Sequence, residues 1–150
     1  ASKDALLFDI LDSYMSSLSN HICNLPLHDL NARDKLKAIT CEVLYAYDGM
    51  GHQHKIHTEG FPLLPKEQQK LLKEYQRNIL ENVSDVLREI VPTKIKYDRI
   101  VLRNITMSVF GMLNWYYIWN PNADRKAREE YASIITELTV SGAAHFEIIQ

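Results

Sequence analysis

The chain has 150 residues, of which 46% are hydrophobic and 24% are charged, and these values indicate one globular domain over residues 1–150 rather than a disordered chain. Seventeen lysines and arginines stand against 19 aspartates and glutamates, so the formal charge of −2 excludes the strongly basic surface of a free-standing nucleic-acid binder. No apolar run is long enough for a membrane span and no signal-peptide pattern is present, so we expect no membrane partner. Cys23 and Cys41 lie in apolar periodic segments and are expected to be free, which favours a reducing cytoplasm.

Prolines and glycines divide the chain into segments whose apolar residues recur every three or four positions, as in helices. The first helix is predicted to begin at the N-cap Ser2 and to run to about Ile22. The second is predicted to begin at Asn31 and to end at Asp48-Gly49, because the residues that follow lack the alternation of a strand.

Three more helices are predicted in the second half of the chain. The third takes Pro65 as its first helical residue and is stopped by Pro92. The fourth is capped by Asp98, and the fifth is capped by Asp124 and ends at Gly142. The predicted fold class is therefore all-α.

The fourth predicted helix, Ile100 to Trp119, has two apolar faces, whereas a surface helix needs one. One face holds Ile100, Met107, Gly111, Trp115 and Ile118, and the other holds Leu102, Ile105, Val109, Met112 and Tyr116. One face is expected to pack on the core of the domain and the other on a second partner. Gly111 costs about 1 kcal/mol in a helix interior, so we expect a close neighbour there, with Ser108 extending a small-residue seam. A homodimer interface is favoured over burial within one larger bundle.

Two segments of the sequence resemble TetR-family transcriptional regulators. Residues 2–8, with the sequence SKDALLF, look like the start of the first long helix of the family's regulatory domain. Residues 111–121, with the sequence GMLNWYYIWNP, resemble the penultimate helix in one branch of the family. A helix that carries Ile134, Leu138 and Gly142 follows at the family's usual distance.

This resemblance implies a multi-helix bundle of the TetR regulatory-domain type, which binds a small hydrophobic effector, forms a homodimer and catalyses no reaction. The last two long helices, Ile100 to Trp119 and Asp124 to Val140, would form a four-helix dimer interface. The residues expected in it are Ser108, Gly111, Trp115, Ile134 and Leu138. The family's N-terminal helix-turn-helix domain is missing from this sequence, so contact with DNA is expected only through that missing domain.

The earlier helices would enclose the effector pocket. Its candidate residues are Tyr75, Ile79, Met107, Phe110, Asn114 and Tyr117. Asn114 is the preferred polar anchor, because an asparagine in an apolar run must find hydrogen-bond partners. The alternative is that these residues are ordinary core, in a dimerisation module without a ligand.

The branch with the Asn-Trp pair resembles regulators that respond to acyl-CoA thioesters. Such a ligand would need basic residues at the mouth of the pocket to bind its phosphates. The candidates are Lys94, Lys96, Arg99 and Arg103, although a solvated polar face is the simpler explanation for them.

Three histidines, His52, His54 and His57, lie in one short connection and suggest zinc or nickel binding, with Glu59 or Cys41 as a further ligand. A metal-responsive regulator is therefore the alternative function, against a solvated loop that happens to be rich in histidine. No cofactor is expected, and the sequence contains neither a glycine-rich phosphate loop nor a nucleophile elbow.

Overall fold

The computed structural model describes residues 3–50 and 59–147, and the regular structure within these ranges is helical, which confirms the all-α prediction. The helices are α1 (Lys3–Cys23), α2 (Ala32–Ala46), α3 (Lys66–Ile90), α4 (Thr93–Lys96), α5 (Arg99–Trp119) and α6 (Arg125–Ala144). A short 3-10 turn, Phe61–Leu63, precedes α3. None of the helices in these ranges combines the length and apolarity that crossing a membrane requires. The predicted cap Ser2 lies outside the described residues.

Three of the predicted helix starts are fixed by side-chain caps. The Asn31 side chain accepts a hydrogen bond from the backbone N–H of Asp34 at 2.9 Å. Asp98 accepts from two backbone N–H groups in the first turn of α5, and Asp124 accepts from one in α6. These caps pair backbone donors that the helix itself leaves unpaired, so the three predicted starts are confirmed.

Two predicted helix boundaries are wrong by one or two residues, and two are confirmed. Gly49 follows α2 with a φ of +68°, the left-handed conformation expected just beyond a helix end, and Pro92 follows α3. Pro65 precedes α3 instead of starting it, because its ψ of 146° is extended. Gly142 does not end α6, which continues to Ala144, since no left-handed residue occurs there to turn the chain.

The centre of the bundle is formed by α2 and α3. Helix α3 packs against α1, α2 and α5, and α2 also packs against α6. The largest fully buried aliphatic side chains come from all six helices: Leu11, Ile22, Leu36, Ile39, Val43, Leu44, Leu72, Leu87, Ile95, Leu113 and Ile135. Helix α3 contributes one buried stripe to this core, formed by Leu72, Ile79, Val83, Val86 and Leu87, and its opposite face is exposed.

A buried arginine ties the end of α2 to the start of α6. Arg128 is only 3% exposed. Its guanidinium donates hydrogen bonds to the backbone oxygens of Ala123 (3.1 Å) and Leu44 (3.0 Å) and to a carboxylate oxygen of Asp48 (3.1 Å). These bonds satisfy a carbonyl that the end of α2 leaves unpaired, and they hold residues on both sides of Tyr47.

The two apolar faces predicted for α5 are confirmed. Leu102, Val109 and Tyr116 are buried on one face, while the members of the other face are exposed. The expected close neighbour of Gly111 is not found among the described residues, because a Cβ placed there would meet no atom within 4 Å. The exposed face of α5 thus borders open space within this chain.

Candidate functional site

A cavity of about 570 Å³ lies between α1, α2, α3 and α5, beside the 3-10 turn. Its lining residues are Tyr14, Met15, Leu18, Val43, Tyr47, Phe61, Gln76, Ile79, Leu80, Met107, Phe110, Gly111, Asn114, Trp115, Tyr117 and Ile118. None of these described lining residues carries a charge. The exposed side chains of Met107, Trp115 and Ile118 mark its open side.

Five of the six predicted ligand residues line this one cavity: Ile79, Met107, Phe110, Asn114 and Tyr117. The sixth, Tyr75, is not among the lining side chains. Its hydroxyl instead donates a hydrogen bond to a carboxylate oxygen of Asp12 at 3.1 Å, which joins α3 to α1. The amphipathic pattern placed the α5 residues together, but it did not resolve which side of α3 Tyr75 occupies.

The contribution of α1 and α2 was missed from the sequence. Tyr14 and Tyr47 lie in apolar helical stripes and were not among the predicted ligand residues, yet both line the cavity. The available signal was their hydroxyl groups, since a buried phenol needs a hydrogen-bond partner that an aliphatic stripe does not offer. Gly111 and Trp115, predicted for the dimer interface, also line the cavity.

Tyrosines and an asparagine form the polar part of the cavity. The Tyr47 hydroxyl donates to Asn114 Oδ1 at 2.6 Å. The Tyr14 hydroxyl is buried without a hydrogen-bond partner among the described residues. Burial raises the pKa of Tyr14 and of Tyr47, and the phenols of Tyr14 and Tyr117 raise the pKa of Tyr47 further. Both phenols are therefore neutral at physiological pH, so each hydroxyl keeps its proton and can donate a hydrogen bond in the cavity.

The basic residues predicted for the mouth of the pocket do not line the cavity. Lys94, Lys96, Arg99 and Arg103 are exposed on α4 and on the first turns of α5. A different cation lies against a lining residue: Lys73 Nζ is 5.8 Å from the centre of the Phe61 ring. Positive charge near the cavity is thus supplied by α3.

A second apolar surface lies on α5 and α6, and we call it the α5–α6 face. Ile134 and Leu138 are 53% and 62% exposed on it. A groove of about 210 Å³ runs between the two helices and is lined by Ile105, Ser108, Val109, Met112, Leu138, Thr139, Gly142, Ala143 and Phe146. Three of the five predicted interface residues, Ser108, Ile134 and Leu138, therefore lie on this face. The other two, Gly111 and Trp115, line the cavity.

The predicted metal cluster of His52, His54 and His57 lies outside the described residues. Within the ranges that the structure covers, no group of three or more histidine, cysteine, aspartate or glutamate side chains is placed to hold a metal ion. Cys41 is half-buried with a free thiol, and burial raises its pKa.

Comparison with known proteins agrees with this architecture. The family model described as "Tetracyclin repressor-like, C-terminal domain" matches residues 29–143. A crystal structure of a TetR-family transcriptional regulator from Bordetella parapertussis 12822 superposes with a TM-score of 0.79 at 23% identity. The alignment covers 99% of this chain and 77% of that chain. No curated protein matches the sequence. Because the family model spans most of the chain, the chain belongs to the family of tetracycline repressor-like C-terminal domains.

Proposed function

We propose that this chain is the regulatory domain of a transcriptional regulator, binding a small hydrophobic effector in the cavity and forming a homodimer through the α5–α6 face. The observation that carries the proposal is the cavity of about 570 Å³, lined by four helices and mostly by apolar side chains. Protein interiors rarely leave voids much larger than a water molecule, whereas small-molecule pockets measure roughly 300–1,000 Å³.

Helix α5 connects the two proposed activities. It supplies cavity residues such as Met107 and Phe110 and also carries Ser108 and Met112 on the α5–α6 face. A helix moves largely as one body, so an effector that shifts α5 in the cavity also shifts it at the interface. The effector must bind the two arrangements with different affinity, because a ligand with equal affinity shifts no equilibrium. Such a shift would change the spacing of two DNA-reading domains.

Acyl-CoA thioesters are the first effector class that we propose. The apolar lining suits an acyl group, while the phosphates would remain outside the cavity, where Lys73 beside Phe61 supplies positive charge. The basic residues of α4 and α5 would then have no part in recognition.

Thermal denaturation of metal-free protein tests effector binding, with acyl-CoAs of several lengths, fatty acids, steroids, zinc and nickel as ligands. A ligand at a hundred times its dissociation constant stabilises the folded state by about 2.7 kcal/mol, which raises the midpoint by several degrees. Met107→Trp, at a cavity residue that is 47% exposed, should abolish the shift. Ile100→Trp, on the same helix outside the lining, should preserve it. If none of these ligands raises the midpoint of thermal denaturation, effector binding is contradicted.

Sedimentation equilibrium tests the homodimer separately. Leu138 is 62% exposed on the α5–α6 face, and Leu63, in the 3-10 turn, is 74% exposed. Leu138→Glu should dissociate the dimer by burying an unpaired charge, while Leu63→Glu should leave it intact. A monomeric wild-type chain would contradict the dimer whatever the ligand panel shows.

A further inference from the structure

The Asn114 carboxamide uses its oxygen in a hydrogen bond within the protein, while its nitrogen has no partner among the described residues. Its Oδ1 accepts the hydrogen bond from the Tyr47 hydroxyl at 2.6 Å, a length typical of an O–H···O bond. Tyr47 is 7% exposed and directly precedes Asp48, which Arg128 holds at 3.1 Å. The phenol is therefore fixed by the end of α2, and it determines which end of the amide faces it.

The other end of this carboxamide has no partner among the residues that the structure describes. Asn114 Nδ2 makes no hydrogen bond to any described residue, and Asn114 is a lining residue of the cavity. An amide nitrogen carries two N–H donors and no acceptor. Asn114 thus offers hydrogen-bond donors, and not an acceptor, to a molecule in the cavity.

The surroundings of this amide disfavour a charged ligand group. The described lining residues are apolar or neutral, and the nearby phenol of Tyr14 is also neutral because burial raises its pKa. An ionised carboxylate placed beside this amide loses part of its hydration without gaining a paired cation among the described lining residues. A carbonyl oxygen accepts from the same N–H groups without that loss.

We propose that the part of the effector inside the cavity is neutral and mainly apolar, and that its carbonyl oxygen accepts a hydrogen bond from Asn114 Nδ2, with Tyr47 as the positioning residue. Ketones, esters and thioesters belong to this class, and free carboxylates do not. The inference rests on the proposed function, since it names the ligand chemistry of the same cavity.

Isothermal titration calorimetry with three ligands of matched shape tests this chemistry. They are methyl naphthyl ketone, isopropylnaphthalene and naphthoate, each substituted at the same ring position. Asn114→Leu should weaken the ketone about three- to tenfold, the usual worth of one neutral hydrogen bond, without weakening the hydrocarbon. Naphthoate should bind the wild-type chain at least about tenfold more weakly than the ketone.

Tyr47→Phe tests the positioning role, because it frees the amide to rotate without removing its donors. It should weaken the ketone about two- to threefold and leave the hydrocarbon unchanged. Tyr97→Phe is the matched control, since Tyr97 is 77% exposed and does not line the cavity.

Equal losses for ketone and hydrocarbon in Asn114→Leu would overturn the inference while leaving effector binding intact. Tighter binding of naphthoate than of the ketone would overturn the neutral class. If none of the three ligands binds and the acyl-CoA panel is also without a shift, the inference falls together with effector binding.

Discussion

Helices α2 and α3 border a filled core on the side of α6 and a lined cavity on the side of α5, and the comparison shows how similar helices make either one. Where α2 meets α6, small residues such as Thr40, Ala132 and Thr136 are buried, and the two threonine hydroxyls lie 3.4 Å apart. Where α1 and α3 face α5, long side chains such as Leu80 and Phe110 surround open space. Small residues let helix backbones approach closely, and large ones hold them apart.

The two sides also differ in how their polar groups are satisfied. On the filled side, the Arg128 guanidinium has three protein acceptors. On the cavity side, the Tyr14 hydroxyl and Asn114 Nδ2 have no hydrogen-bond partner among the described residues. Asn114 is exposed, so of these two groups only the Tyr14 hydroxyl is a buried polar group without a partner, which supports room for a ligand on the cavity side.

The largest expected difference between the two sides is the energy of truncating a side chain. Ile135 is fully buried on α6, so Ile135→Ala should lower the free energy of unfolding by about 2–5 kcal/mol. Met107 lines the cavity and is 47% exposed, so Met107→Ala should cost less than about 1 kcal/mol. Urea denaturation of both variants measures the difference, and equal losses would show that the cavity side is packed like the core.

Removing the paired polar group on the filled side should have the next largest effect. Arg128→Met leaves the backbone oxygens of Ala123 and Leu44 without their donor, so we expect a loss of about 2–3 kcal/mol in urea denaturation. Lys126→Met is the matched control, because the Lys126 side chain is 82% exposed. A loss below about 0.5 kcal/mol in Arg128→Met would mean that the arginine is dispensable.

High pH should lower the free energy of unfolding through Tyr47, which lines the cavity. Burial raises the pKa of Tyr47 above its ordinary value of 10.0. Above pH 10 the unfolded chain therefore releases a proton that the folded chain keeps, so stability is retained below that pH and lost as pH rises. Each such group contributes up to about 1.4 kcal/mol per pH unit.

The measurement is urea denaturation from about pH 9 to about pH 11. Tyr47→Phe should flatten the alkaline loss of stability relative to the wild-type chain, and Tyr97→Phe is the exposed control. If the free energy of unfolding falls with pH as steeply in Tyr47→Phe as in the wild-type chain, the Tyr47 phenol ionises as readily in the folded state as in the unfolded state.

The smallest effect should come from Gly111, which lies at the cavity and on an exposed face of α5. A Cβ there meets no described atom within 4 Å, so Gly111→Ala should stabilise the chain by about 0.5–1 kcal/mol in thermal denaturation. Gly49→Ala should destabilise it instead, because Gly49 has a φ of +68°. Destabilisation by Gly111→Ala that grows as protein concentration rises would place Gly111 in a dimer contact.

Local chemistry made most of the fold predictable. The caps Asn31, Asp98 and Asp124 act on backbone groups within three residues, so their effect is visible in the sequence. Helix α4 was not predicted, because Thr93–Lys96 is too short to show a periodicity. Pro65 was misplaced by one residue, since both a first helical residue and its predecessor accept proline's φ.

The candidate site was only partly predictable because periodicity records which side of a helix avoids water, and not what lies opposite. It grouped Met107, Phe110 and Asn114, yet it could not distinguish a lining phenol from a packed one at Tyr14 and Tyr47. Trp115 was predicted for the dimer interface but lines the cavity. An apolar residue on an exposed helix face can lie at a cavity mouth or in an interface, and the periodicity does not distinguish the two.

The bonds of Arg128 also set an order for folding. Its hydrogen bond to Leu44 O joins residues 84 positions apart, and α6 is the last helix among the described residues. Contacts that close so long a loop form late, because the chain entropy is lost before the contact repays it. During synthesis on the ribosome, we therefore expect α2 to keep part of its apolar face uncovered until α6 emerges, which exposes the nascent domain to aggregation in that interval.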